Sequence, residues 1–125
     1  MDYTLDLDES EGIVLVRVLS DTTEALAAAI STSAIALAKG KSIRGYLLDM
    51  RGTRDVAPVF ADYDLAYNGL AAAGFDSRHW LAMLLDENDD SRSFFETLAS
   101  NAGIRLGVFR VEEEACAWLQ KNARR

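Results

Sequence analysis

The chain has 125 residues, half of them hydrophobic, and 13 Lys and Arg against 20 Asp and Glu give a net charge of −7. That length suits one domain with a core of its own, and the apolar content excludes an intrinsically disordered chain. The acidic balance excludes a general binder of nucleic acid or of an anionic membrane surface, because phosphate-rich partners need a basic footprint.

Residues 3–7 alternate, with Tyr3, Leu5 and Leu7 on one side and Thr4 and Asp6 on the other, which is the period of a half-buried strand. Glu9, Ser10, Glu11 and Gly12 read as a turn. Residues 13–19 are β-branched and almost continuously apolar, like a strand covered on both faces. Two strands joined by so short a turn form an antiparallel hairpin. Asp21 and Glu24 have the spacing of a capping box, so a helix is expected over 21–39, ended by Gly40. Leu26, Ile30, Ala34 and Leu37 share its inner face. Residues 43–50 are the next strand, centred on Tyr46, Leu47 and Leu48, and 51–54 are a loop.

A second helix is expected over 58–73, with Pro58 in its first turn, where the missing N–H does no harm, and Gly74 closing it. Residues 80–85 form the fourth strand. The acidic run 86–90 is a loop, since its carboxylates cannot be buried unpaired. A helix over 91–102 carries Phe94, Phe95, Leu98, Ala99 and Ala102 on one stripe and is capped by Gly103. Residues 104–110 are the fifth strand and 112–122 the last helix, with Ala115, Trp118 and Leu119 facing inward. Glu112, Glu113 and Glu114 lie at its positive end, and Lys121, Arg124 and Arg125 at or past its negative end. The order β-β-α-β-α-β-α-β-α implies an α/β domain spanning 1–125. Its sheet is five-stranded and mainly parallel, with one antiparallel edge strand, right-handed crossovers and four covering helices.

Cys116 is the only cysteine, so a disulfide-stapled secreted domain is excluded. Neither a leader-like segment nor an apolar run of about 20 residues is present. The expectation is a cytoplasmic protein without integral membrane association.

Short stretches resemble the STAS/SpoIIAA-like superfamily of bacterial proteins. Leu48-Asp49-Met50-Arg51-Gly52 is similar to the "D-L-R-G" that ends its central strand. Ser93-Phe94-Phe95-Glu96-Thr97 with Asn101-Ala102-Gly103 and Val108-Phe109 resembles its "F-F-E-T … N-x-G … V-F" stretch. Glu114-Ala115-Cys116-Ala117-Trp118-Leu119 resembles its terminal "E-x-A-x-A-W-L" helix. The resemblance implies a right-handed superhelix of βα turns. It brings to mind the superfamily's anti-sigma-factor antagonists, which carry a phosphorylatable Ser or Thr at the start of the second helix and bind a kinase there. In this chain Arg51 stands at the acceptor position and Thr53 lies two residues later, which disfavours that switch. The fold is also similar to that of CRAL-TRIO lipid-carrier domains, which makes a lipophilic ligand imaginable.

Arg51, Gly52, Thr53 and Arg54 leave the carboxyl end of a parallel strand, where open α/β sheets bind ligands. Two guanidiniums, a glycine and a hydroxyl suit a phosphate or carboxylate, although Arg51 and Arg54 can equally pair with Asp49 and Asp55. Ser91 and Arg92 open a helix whose N–H groups attract anions, or Ser91 or Asp90 simply caps it. Asp86-x-Asn88-x-Asp90 imitates the start of a calcium loop, then departs from it at Ser91 and Thr97. The one histidine, His79, lies at the opposite end of the sheet, and Cys116 reads as a packing residue, so no catalytic constellation, metal set or cofactor motif emerges. Phe60, Tyr63, Tyr67 and Leu70 recur at helical spacing, while Leu65, Ala66, Gly69 and Ala73 form a second apolar face. Two such faces on one covering helix suggest a contact, first of all a homodimer. The function expected is a non-enzymatic binding or regulatory module. It would offer loop 51–54 and the second helix to a protein partner or small ligand. The alternative is a carrier or sensor of a small apolar or acidic-headed molecule with Arg51 or Arg54 on its headgroup.

Overall fold

Strands β1 (Tyr3–Asp8), β2 (Ile13–Val18), β3 (Gly45–Asp49), β4 (Trp80–Leu84) and β5 (Arg105–Phe109) lie side by side in chain order in a computed structural model that describes residues 1–123. β1 runs antiparallel to β2, and every other pair is parallel. Four helical segments follow the expected order: α1 (Glu24–Ala38), α2 (59–72), α3 (Ser93–Asn101) and α4 (Glu112–Asn122). Arg124 and Arg125 lie outside the described residues.

Strand register sorts the side chains onto two faces. Val14 stands beside Tyr46, Tyr46 beside Leu81 and Leu81 beside Leu106. This face packs against α1 through Ile30, Ala34 and Ile35, against α2 through Leu70 and against α3 through Phe95. α1, α2 and α3 connect adjacent parallel strands stepping in one direction, so a common handedness puts them on one face. α4 has no following strand and covers the other face, where Ala115 and Leu119 meet Ile13, Leu47, Ala82 and Leu84. There Gly107 has no room for a side chain: a Cβ would come within 2.8 Å of the Phe109 ring. Val14, Val16 and Val18 are fully buried, each worth about 1.5–3 kcal/mol over exposure.

Several local expectations need correction. β2 is covered on both faces only at its start, because α4 reaches no further than β3: Leu15 and Arg17 are exposed. α1 begins at Glu24 rather than Asp21. Thr22 is held extended by a parallel bridge to Asp55, so Thr23 becomes the N-cap and accepts from the Leu26 N–H. Asp21 accepts instead from the Arg54 N–H. Pro58 is the N-cap of α2 rather than a first-turn residue. α3 begins at Ser93 with Arg92 as its cap residue, because Ser91 and Arg92 are bonded elsewhere. Phe94 is exposed, off the stripe that buries Leu98 and Ala99.

The largest departure is in α2. Two α-helical pieces, Val59–Asp64 and Leu70–Ala72, flank a π-helical turn at Leu65–Gly69. A π turn takes up one extra residue, so the buried positions recur every four residues, at Asp62, Ala66 and Leu70. Leu70, expected on the outer stripe with Phe60, Tyr63 and Tyr67, therefore turns inward and is 8% exposed, against 75% for Phe60.

Candidate functional site

Parallel strands bring the loops after β2, β3, β4 and β5 to one rim, and the loops are tied to one another there. The Gly52 N–H donates to the Asp86 carboxylate at 2.7 Å from a backbone at φ 83, which suits glycine. The Asp55 N–H donates to the Ser91 hydroxyl at 2.9 Å. Arg110 donates to the carbonyls of Asp86 and Asp89. Thr22 and Val56 exchange backbone bonds across the 22–55 bridge with Arg54 and Thr22.

Inside this rim sits Arg92, 3% exposed. Its guanidinium donates to the Thr53 hydroxyl oxygen at 3.0 Å and to that of Thr22 at 3.4 Å. Its Nε faces Asp89 Oδ2 at 3.5 Å, and neither of these two buried atoms has a hydrogen-bond partner. Burial pulls the Arg92 pKa below the usual guanidinium value, with Asp89 and Asp55 opposing that pull. Burial works against ionised Asp89, but hydrogen bonds from the Ser91 hydroxyl and N–H and the nearby Arg92 charge hold its carboxyl below the usual range. Next to Arg92 two carboxyls meet. Asp62 is 9% exposed and faces Asp55, and burial followed by the Asp55 carboxyl pushes its pKa up to about 7.

This polar corner closes one side of an apolar cavity. Between the sheet, α1 and α2 lies a space of about 90 Å³ whose walls include Ile30, Ala34, Leu70, Met83 and Phe95 and whose polar lining is Thr22, Asp55, Asp62 and Arg92, with Ser31 and Tyr46. Burial raises the Tyr46 hydroxyl to about 12, so it stays protonated. A groove of about 130 Å³ runs between α1 and α2. The two spaces share Ala27, Ser31, Asp62 and Leu65, so Asp62 stands at the neck between them. The cavity exists because α1 presents alanines inward at 27 and 34 and the π turn holds α2 at the matching phase.

The six residues expected to bind a ligand separate in the structure. Arg51 holds Asp49 at 2.8 Å and Glu112 at 3.0 Å, on the α4 side of the sheet. Its hydrogen bonds keep the Asp49 carboxyl below the usual range. Arg54 pairs with Asp90 at 3.1 Å and lies 3.9 Å from Asp89, not with Asp55. Thr53 is buried, donating to the Met50 carbonyl and accepting from Arg92. Ser91 caps nothing: it links Asp55 to Asp89. Arg92 alone of the six lines the cavity. On the outer surface Phe60, Tyr63 and Tyr67 are exposed, with the tyrosine rings 4.8 Å apart.

Asp55, Asp62 and Thr22 are the site residues that sequence reasoning missed. One signal pointed to Asp62: it shares the inward phase of α2 with Ala66, a charged residue on a face that otherwise buries small apolar ones. His79 lies at the far end of the sheet against Tyr46 and Phe75, its pKa lowered by burial and its Nδ1 without a partner. Burial raises the Cys116 thiol. Among the described residues no group of three or more His, Cys, Asp or Glu is placed to hold a metal ion, and no helix is long and apolar enough to cross a membrane.

Compared with known proteins, the chain matches no family model, no curated protein and no solved structure.

Proposed function

We propose that this protein is a non-enzymatic binding module, a carrier or sensor that takes a small apolar molecule into the cavity beneath α1 and α2. The observation that carries the reading is the pairing of an apolar chamber with one polar corner built from three loops and a helix, reached through a groove. Ligand sites have this composition, mostly apolar walls with a few convergent polar groups. The π turn adds support, since such turns occur frequently at functional sites. The STAS/SpoIIAA-like resemblance, and the lipid carriers similar in fold, fit a module of this kind, as does a cytoplasmic setting. Arg51 and Arg54 are occupied by carboxylates, which moves the proposed headgroup contact to Arg92, Asp55 and Asp62.

The test is a heteronuclear NMR titration with n-butanol. Shift changes should gather at Ala34, Leu70 and Met83, and Ala34→Phe should remove them while leaving the rest of the spectrum folded. Changes confined to Phe60, Tyr63 and Tyr67 would reject the cavity.

A second reading is favoured by the outer face of α2. Val56, Val59, Phe60, Tyr63 and Tyr67 are all exposed on or just before that helix, and an apolar patch of this kind marks contact surfaces. It is the surface through which a homodimer or a protein partner would meet the chain, and sedimentation at rising concentration tests the homodimer.

A further inference from the structure

The head of the cavity's ligand can be read from which polar atoms the protein leaves without a donor. Arg92 is the only cation lining the space, and its N–H groups already reach Thr22, Thr53 and the flank of Asp89. An anionic head would meet Asp55 at once and Asp89 behind Arg92, with little of the guanidinium left to receive it. Asp62 is in the opposite condition. It is nine-tenths buried and lines both the cavity and the groove, yet among the described residues no N–H or hydroxyl donates to its carboxyl. Its one hydrogen-bonding neighbour is the Asp55 carboxyl, another acceptor. Asp55 spends one oxygen on the Ala57 N–H and keeps the rest of its acceptor capacity. Two carboxyls side by side at the neck of an apolar chamber lack a shared cationic donor, which a buried carboxylate needs.

We propose that the ligand is a short primary amine, its ammonium seated between Asp62 and Asp55 and its alkyl tail in the cavity. The inference rests on the carrier reading above and replaces the acidic head expected from the sequence. An apolar cavity of about 150 Å³ takes benzene, so on that scale 90 Å³ takes a tail of roughly four carbons.

Binding has a proton balance. The amine arrives as ammonium, since alkylamines titrate near the Lys value of about 10.4. Asp62, half protonated near pH 7, loses its proton to water as its O–H is replaced by an ammonium N–H bond. The groups facing it are Asp55 from the preceding loop, Arg92 with Asp89 behind it from the loop before α3, Glu24 of α1 and Asp64 of α2 along the groove, and Tyr46 on the cavity floor. Of these, Tyr46 titrates far above the window and Asp89 below it. Affinity should therefore rise about tenfold from pH 6 to pH 8, following ionised Asp62.

NMR titrations with n-butylamine, n-butanol and butyrate at pH 6, 7 and 8 test this on the full chain. The amine should bind tightest, with the tenfold rise. The alcohol should bind with no pH dependence, and butyrate weakest. Asp62→Asn should flatten the amine profile and leave n-butanol unchanged, and Asp55→Asn should weaken the amine alone. Butyrate binding above the amine, or an amine profile as flat as the alcohol's, overturns the amine assignment while the cavity stands. Absence of binding by all three probes overturns both.

Discussion

Replacing Asp62 by Asn tests the buried carboxyl pair through stability alone. Burial and the Asp55 carboxyl raise the Asp62 pKa from 3.8 to about 7 in the folded chain. Between those two values the folded state holds the extra proton, so stability is highest on the acid side, falls as pH rises through the window and levels off above about pH 7. Comparing the ionised fractions at pH 5 and pH 8, with 1.36 kcal/mol for each tenfold step, gives a loss of up to about 2–3 kcal/mol. His79 contributes with the opposite sign: its lowered folded pKa makes stability rise with pH up to about 6.5. The lowered carboxyls, such as Asp49 and Asp89, lose their contribution only below about pH 4. The difference between wild type and Asp62→Asn therefore isolates Asp62, and the new amide can donate to Asp55. Urea unfolding of both proteins at pH 5, 6, 7 and 8 and constant salt is the assay. The variant should gain on the wild type as pH rises and be the more stable of the two at pH 8. Parallel stability curves across this window would show that Asp62 is not held protonated by its surroundings.

Arg92→Met should cost about 3–5 kcal/mol in urea unfolding, because buried Asp89 loses its cation. Arg51→Ala, whose ion pairs are solvent-exposed, should cost no more than about 1 kcal/mol in the same assay. Leu70→Ala should cost about 2–5 kcal/mol and enlarge the cavity, measurable as altered n-butanol affinity, whereas Phe60→Ala should stay within about 0.5 kcal/mol. Gly107→Ala should lower stability by about 1–3 kcal/mol and shift the Trp118 fluorescence, since the added methyl meets the Phe109 and Trp118 rings.

The sheet was legible because its signals are local. The β-branched run at 13–18, the glycines that close helices at 40, 74 and 103 and the regular alternation of strand and helix lengths each act within a few residues. The start of α1 was not, since the bond that keeps Thr22 extended comes from Asp55, more than thirty residues away. The same holds for Ser91 and Arg92: a helix-opening pattern was present, but partners on two other loops claimed both side chains. The inner and outer faces of α2 were misassigned at Leu70 because a period of 3.6 was applied through residues that keep a wider one. The cavity corner gathers Thr22, Asp55, Asp62 and Arg92 from separate segments, and no spacing rule along the chain links them.

The wide turn in α2 also makes that helix sensitive to insertion and deletion. A chain lacking one residue between 65 and 69 can build the same span with regular bonding and little other change. Everything after the missing residue would rotate by roughly 100° about the helix axis, swinging the methyls of Leu70 out toward solvent. Two otherwise identical sequences differing by that single codon would then share a scaffold and differ in whether it is hollow.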